Sequence, residues 1–163
     1  MMAGDNRSET AVDHDDGDVL MPARQLRAYM AQLEAARATS ATDALGQAAE
    51  ARQRLIRHCL QPVEVTPERL ARHAAAVRRR LQQAAGNGQT ELLLAQFPVE
   101  LSTDHGRAVN NGDPDWPDTL VGRPRQAVEF WRSHLHPLGY RLAAMIVEWP
   151  HGLPGDIGLF LRW

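Results

Sequence analysis

The fold is decided by one stretch, Thr90-Glu-Leu-Leu-Leu-Ala-Gln-Phe97, which continues into a polar segment over residues 98–111. Apolar side chains fall on both faces of the first part, which is typical of a buried strand. Pro98 ends this strand, and polar residues follow at once. In open α/β layers the functional groups lie where a buried strand ends, so we expect a site in the polar segment.

Composition limits the classes of protein to consider. The chain has 163 residues, 44% of them hydrophobic, which is enough for one domain or a domain with an appendage. No apolar run approaches the ~20 residues of a membrane span, and the acidic N-terminus is unlike a signal peptide. The single cysteine, Cys59, excludes an intramolecular disulfide. We expect a cytoplasmic protein with no membrane contact, cofactor or metal.

Charge is distributed unevenly along the chain. Residues 1–21 carry six acids against one arginine, and we predict that they form a disordered acidic tail. Residues 22–85 carry eleven arginines against five acids. All eighteen basic residues are arginines, which, together with abundant alanine, indicates a GC-rich bacterial genome more than a function.

The chain from residue 22 to 86 is predicted to be a helical region of three amphipathic helices. The first begins near Pro22, and the second begins with a capping box at Ser40. The third has Thr66 as its cap and Pro67 as its first residue. These helices are rich in alanine and bury little surface singly, so we expect them to pack as a hairpin or small bundle.

Residues 87–163 are predicted to form a small β-α-β-β domain. A helix beginning near Pro124 follows the first strand, and the segments 141–149 and 156–163 read as two further strands. A parallel crossover and an antiparallel hairpin would give a mixed three-stranded sheet with the last strand at its edge. We expect the third and fourth helices to cover its two faces. The predicted fold class is therefore α+β.

The polar segment holds a candidate ligand site, formed by Thr103, Asp104, His105, Arg107 and Asn110. A short helix there would offer backbone N–H groups to an anion, and Arg107 would provide a second contact. The alternative is structural, because Asp104 can cap a helix and Asn110 can form a turn. Catalysis at these residues is less favoured than ligand binding, since the neighbours Asp104 and His105 diverge by about 100° on a helix.

The third helix raises the hypothesis of nucleic-acid binding. Four of its arginines are candidate phosphate contacts: Arg72, Arg78, Arg79 and Arg80. Three of them are consecutive and so spread around the helix, and no aromatic residue lies between them. We therefore rank this hypothesis below the others.

No catalytic or cofactor motif names a reaction. Our leading hypothesis is a non-catalytic interaction or regulatory module that uses a helical arm to bind a protein partner or a second copy. The first alternative is a protein, or a small enzyme, that binds a small anionic ligand at the polar segment. Nucleic-acid binding through the third helix is the second alternative.

Overall fold

The computed structural model describes residues 22–163. The predicted acidic tail, residues 1–21, lies outside this range. Contacts divide the described residues into two compact units, one that ends at Gly46 and one that spans Gln47–Trp163. Residues 22–46 of the first unit are called the N-terminal unit below. The domain boundary between residues 86 and 87 stays a prediction.

The first helix, α1, runs without a break over Ala23–Leu60. The prediction of two helices here is wrong, because the helix continues through Ser40, the predicted cap, and the threonine hydroxyl groups on either side of it bond within the helix. Thr39 Oγ1 donates to the carbonyl of Ala35 at 3.0 Å, and Thr42 Oγ1 donates to that of Ala38 at 2.9 Å. The alanine-rich sequence around them favours continued helix.

The next helix, α2, spans Pro67–Gly86 and begins as predicted. The Thr66 side chain accepts a hydrogen bond from the backbone N–H of Arg69 at 3.3 Å. Residues 22–86 therefore hold two helices rather than three.

Three strands form one antiparallel sheet: β1 (Glu91–Pro98), β2 (Arg141–Glu148) and β3 (Asp156–Arg162). The α+β class and its three strands are confirmed. The strand order is β1-β3-β2, so the predictions of a mixed sheet and of an edge position for the last strand are wrong. The reason is that β3 pairs with β2 along one edge and with β1 along the other. Its inward residues Ile157, Leu159 and Leu161 are fully buried, as a central strand requires.

The helices of the second unit pack on the face of the sheet that holds Leu161. Val77 of α2 shares a buried cluster with Leu161 and with Phe130, which ends the helix Gly122–Phe130. The expected cover of the second face by α2 is therefore wrong. On that face Leu93 and Met145 remain 36% and 38% exposed.

A short helix, α3, spans Arg107–Asn111. The helix α4 spans Gly122–Phe130, and a π-helical turn over Trp131–Leu135 continues it. The predicted helix is confirmed, starting two residues before Pro124. Gly122 has φ +62°, and a Cβ atom there would lie 2.3 Å from the carbonyl oxygen of Cys59. Only glycine fits at this crossing, which places α4 against the end of α1.

Arg52 fastens α1 to the start of β3. Its guanidinium binds both carboxylate oxygens of Glu100, at 3.2 and 2.8 Å, and Oδ1 of Asp156 at 2.9 Å. It also donates to the carbonyl of Gly155 at 2.7 Å. The hydrogen bond to Glu100 is the largest cause that raises the pKa of Arg52. With four hydrogen bonds, the Arg52 side chain makes the largest set of hydrogen bonds between α1 and the sheet region in the described residues.

Candidate functional site

Asp104, the central residue of the predicted site, holds the short helix α3 (Arg107–Asn111) in place. Its carboxylate accepts hydrogen bonds from Ser102 Oγ at 2.5 Å, from the Gly106 N–H at 3.0 Å and from the Ala108 N–H at 2.7 Å. Burial raises the pKa of Asp104, but these bonds outweigh that effect and lower it. The carboxylate therefore has the capping role considered in the structural alternative.

A second set of bonds ties the polar segment to the loop before α4. Ser102, which is 1% exposed, has its Oγ atom 2.9 Å from Thr119 Oγ1. The Thr103 N–H donates to the Thr119 carbonyl at 2.8 Å, and Val121 N–H donates to that of Leu101 at 2.9 Å. These polar groups are used within the protein.

The other members of the predicted site are side chains on the surface. Thr103, His105, Arg107 and Asn110 are all exposed. His105 has φ +53°, a left-handed conformation that is uncommon for a residue other than glycine. The site was predicted from a parallel crossover, and the antiparallel sheet removes that argument. Ligand binding at these residues stays a prediction.

The four arginines of the nucleic-acid hypothesis occupy different surroundings. Arg80 donates to the carbonyls of Leu94, at 3.2 Å, and Leu93, where β1 has a bulge. Arg72 lines a groove, while Arg78 and Arg79 are exposed. Arg80 thus has a structural role that sequence reasoning missed, and nucleic-acid binding stays a prediction.

The groove lies between the segment 63–65, the first turns of α2, and α4 with its π-helical turn. It has a volume of about 650 Å³. It is lined by Val63, Glu64, Val65, Arg69, Leu70, Arg72, His73, Arg123, Gln126, Ala127, Glu129, Phe130, Ser133 and His134. Sequence reasoning missed it because its walls come from segments about sixty residues apart. The local signal in the sequence is an apolar residue, Val65, in the segment between two helices, and the structure leaves it exposed.

Aromatic rings form part of the groove wall. Phe130 is buried, and the ring of His134 stacks on it with centroids 4.9 Å apart. His73 meets the same ring edge-on at 4.8 Å. π-Helical turns occur frequently at functional sites, and the one here carries His134.

The N-terminal unit presents a second surface. Every side chain of residues 22–46 is exposed. Four large apolar residues there follow the spacing i, i+3, i+4, i+7 and so lie on one helix face. They are Leu26, Tyr29, Met30 and Leu33, with exposures of 48, 50, 52 and 37%. We call these four residues the stripe.

Two further kinds of site were sought in residues 22–163. No group of three His, Cys, Asp or Glu side chains there is arranged to hold a metal ion. No helix in that range is both long and apolar enough to cross a membrane.

Comparisons with protein-family models, with curated proteins and with solved structures gave no match to this chain. Functional inference therefore rests on the two surfaces, the groove and the stripe.

Proposed function

We propose that this protein is a non-catalytic interaction module that binds a second copy of itself through the stripe. The observation that carries the proposal is the exposure of four large apolar side chains on one face of α1. A helix normally buries such a face, since most helical stability in proteins comes from packing rather than from propensity. A second copy offers an identical face, and twofold pairing of identical faces is the commonest form of self-association.

The sequence of the stripe suits antiparallel pairing. With Tyr29 placed against Met30 of the second copy, Leu26 lies against Leu33 of that copy, and the pattern closes symmetrically. Burying a large apolar side chain contributes about 1.5–3 kcal/mol, so a few such contacts support a dimer even after the cost of association.

Charges beside the stripe favour the same orientation. Arg27 and Glu34 are seven residues apart, hence about 20° apart around the helix on one flank. In an antiparallel pair the same flank of each helix faces the other copy, so Arg27 lies beside Glu34 of the second copy. The twofold symmetry repeats this pair, giving two such contacts. In a parallel pair this flank would face uncharged Tyr29 and Ala36 instead. Flanking charges are what sets orientation in paired helices.

Analytical ultracentrifugation over a range of concentrations tests the proposal. We expect the wild type to show a concentration-dependent dimer and Leu26→Glu/Leu33→Glu to be a monomer. The matched control is Ala28→Glu/Ala35→Glu, which adds the same charges at the same spacing on the opposite face and should still form the dimer. A wild type that stays monomeric throughout overturns the proposal.

A charge exchange tests the orientation separately. Either Arg27→Glu or Glu34→Arg alone places like charges together and should weaken the dimer by about three- to tenfold. The double variant Arg27→Glu/Glu34→Arg restores opposite charges and should recover the wild-type dissociation constant. If the double variant is as weak as the single ones, the antiparallel arrangement is wrong.

A further inference from the structure

The groove has the size of a small-molecule site. Its volume of about 650 Å³ falls within the roughly 300–1,000 Å³ usual for ligand pockets. It lies wholly within the second compact unit, and no residue of the stripe lines it. Its role is therefore independent of self-association.

Hydrogen bonds fix the walls of the groove in advance. The amide of Gln126 makes two hydrogen bonds to Val63, accepting from its N–H at 2.9 Å and donating to its carbonyl at 2.8 Å. Arg123 donates to the carbonyl of Gln61 at 3.1 Å and lies 2.7 Å from Nε2 of His58. A wall that is already ordered reduces the entropy that a ligand must lose on binding.

The side chains on the inner wall of the groove favour a ligand that is largely apolar. Leu70, Ala127 and the ring of Phe130 line it, with Val63 and Val65 from the connecting segment. Ligand pockets are commonly apolar and aromatic with a few placed polar groups that fix the orientation. A sugar or another polyhydroxylated molecule would leave its hydroxyl groups without partners on these side chains.

The charged residues of the groove favour a ligand with one negative charge. Three arginines line it, Arg69, Arg72 and Arg123, against two carboxylates, Glu64 and Glu129; with the two lining histidines counted as neutral, this leaves an excess of one positive charge. Arg69 and Arg72 are three residues apart on α2 and therefore lie on the same side of that helix. A guanidinium group binds a carboxylate through two parallel hydrogen bonds. A doubly charged phosphate would exceed the charge that is available.

We propose that the groove is a binding site for a small monocarboxylate with an aromatic or aliphatic body. The apolar part packs against the Phe130 wall, and the carboxylate is held by Arg69 and Arg72 at the start of α2. Arg69 and Arg72 are exposed, and Gln126 and Arg123 are already hydrogen-bonded to the segment beside them, so the site can bind without unfolding any element.

Titration followed by NMR chemical shifts, with 1-naphthylacetate as the probe, tests the proposal on the full chain. We expect saturable shifts confined to residues around the groove. Arg69→Gln/Arg72→Gln should weaken binding about tenfold or more. The control Arg78→Gln/Arg79→Gln removes the same charge from exposed positions of α2 and should bind as the wild type does. Ser133→Trp, which fills the groove from its exposed rim, should also abolish binding.

Two related probes separate the carboxylate from other chemistries. The uncharged 1-naphthylacetamide should bind about tenfold more weakly than the carboxylate. 1-Naphthyl phosphate, which carries a larger charge, should not bind more tightly. The proposal is overturned if the carboxylate gives no saturable shifts, if the amide binds equally well, if the phosphate binds more tightly, or if the Arg78/Arg79 control loses affinity equally.

Discussion

The polar segment and the groove are both rich in polar side chains, but they use them in opposite ways. In the polar segment, Asp104 accepts three hydrogen bonds from its own neighbours, and Ser102 is almost fully buried. In the groove, Arg69 and Arg72 are exposed and line a cavity beside the apolar ring of Phe130. The difference shows that a dense run of polar residues does not by itself identify a ligand site. Hydrogen-bonding capacity that the fold leaves unused is the better sign.

The largest expected effect concerns the backbone that supports the groove rather than its side chains. Gly122→Ala forces a side chain into the left-handed region and against the Cys59 carbonyl. We expect a loss of about 3 kcal/mol or more in the free energy of unfolding, measured by urea denaturation.

The matched control for this change is Gly46→Ala within α1. A Cβ atom at Gly46 meets nothing within 4 Å, and alanine is a better helix former than glycine. The same substitution should therefore stabilise the protein by about 0.5–1 kcal/mol. Equal effects at Gly122 and Gly46 would contradict the close crossing of α1 and α4.

A smaller loss is expected in the polar segment. Asp104→Asn removes the charge that three donors share, and hydrogen bonds to a charged group are worth more than neutral ones. We expect a loss of about 1–3 kcal/mol at pH 7 by chemical denaturation. Asp115→Asn, an exposed position of the following loop, should change the stability by less than about 0.5 kcal/mol.

The pH dependence of Asp104 gives an independent reading of the same contacts. Its pKa is lowered by folding, so its contribution is fully present above the unfolded-state pKa of about 3.9. The contribution is lost as the pH falls through the lower, folded-state pKa. The stability difference between the wild type and Asp104→Asn should therefore be constant near neutrality and shrink below about pH 4. A difference that grows on acidification would contradict the capping role.

The smallest effect is expected for the groove arginines. Arg69→Gln/Arg72→Gln should change the free energy of unfolding by less than about 0.5 kcal/mol, since both side chains are exposed. Circular dichroism during thermal unfolding measures this directly. A loss of unfolding free energy as large as that of Asp104→Asn would mean that Arg69 and Arg72 stabilise the fold as Asp104 does. The difference between the polar segment and the groove would then be contradicted.

Local patterns in the sequence predicted the elements well. The cap at Thr66 and the proline after it located the start of α2. A continuous apolar run located β2, and alternation of apolar residues located β3. Such signals depend on residues that are close in sequence, so they can be recognised without the tertiary structure. The same reasoning failed at Ser40, because a hydroxyl residue that can cap a new helix can also lie inside an existing one, and the hydroxyl groups of Thr39 and Thr42 beside it bond within α1.

Strand order and the groove could not be predicted in this way. Both depend on contacts between distant residues, such as Phe97 with Ile157 and Val63 with Gln126. No periodicity encodes which strand neighbours which, and the sequence rule favouring a parallel crossover does not apply once β3 lies between β1 and β2. In the candidate site, Asp104 and Arg107 were selected because of their residue types. The residue type does not reveal which groups of the folded protein bond to each side chain.

The central position of β3 also sets the order in which this protein can be built during synthesis. β1 and β2 are made first, yet neither pairs with the other, because each is paired only with β3 in the sheet. While a ribosome is still translating residues before Asp156, neither strand pair of this sheet can form. The apolar residues of β1 and β2 then have no strand to pair with. Sheet formation therefore becomes possible in one step, when β3 emerges after both of its neighbours and pairs with them.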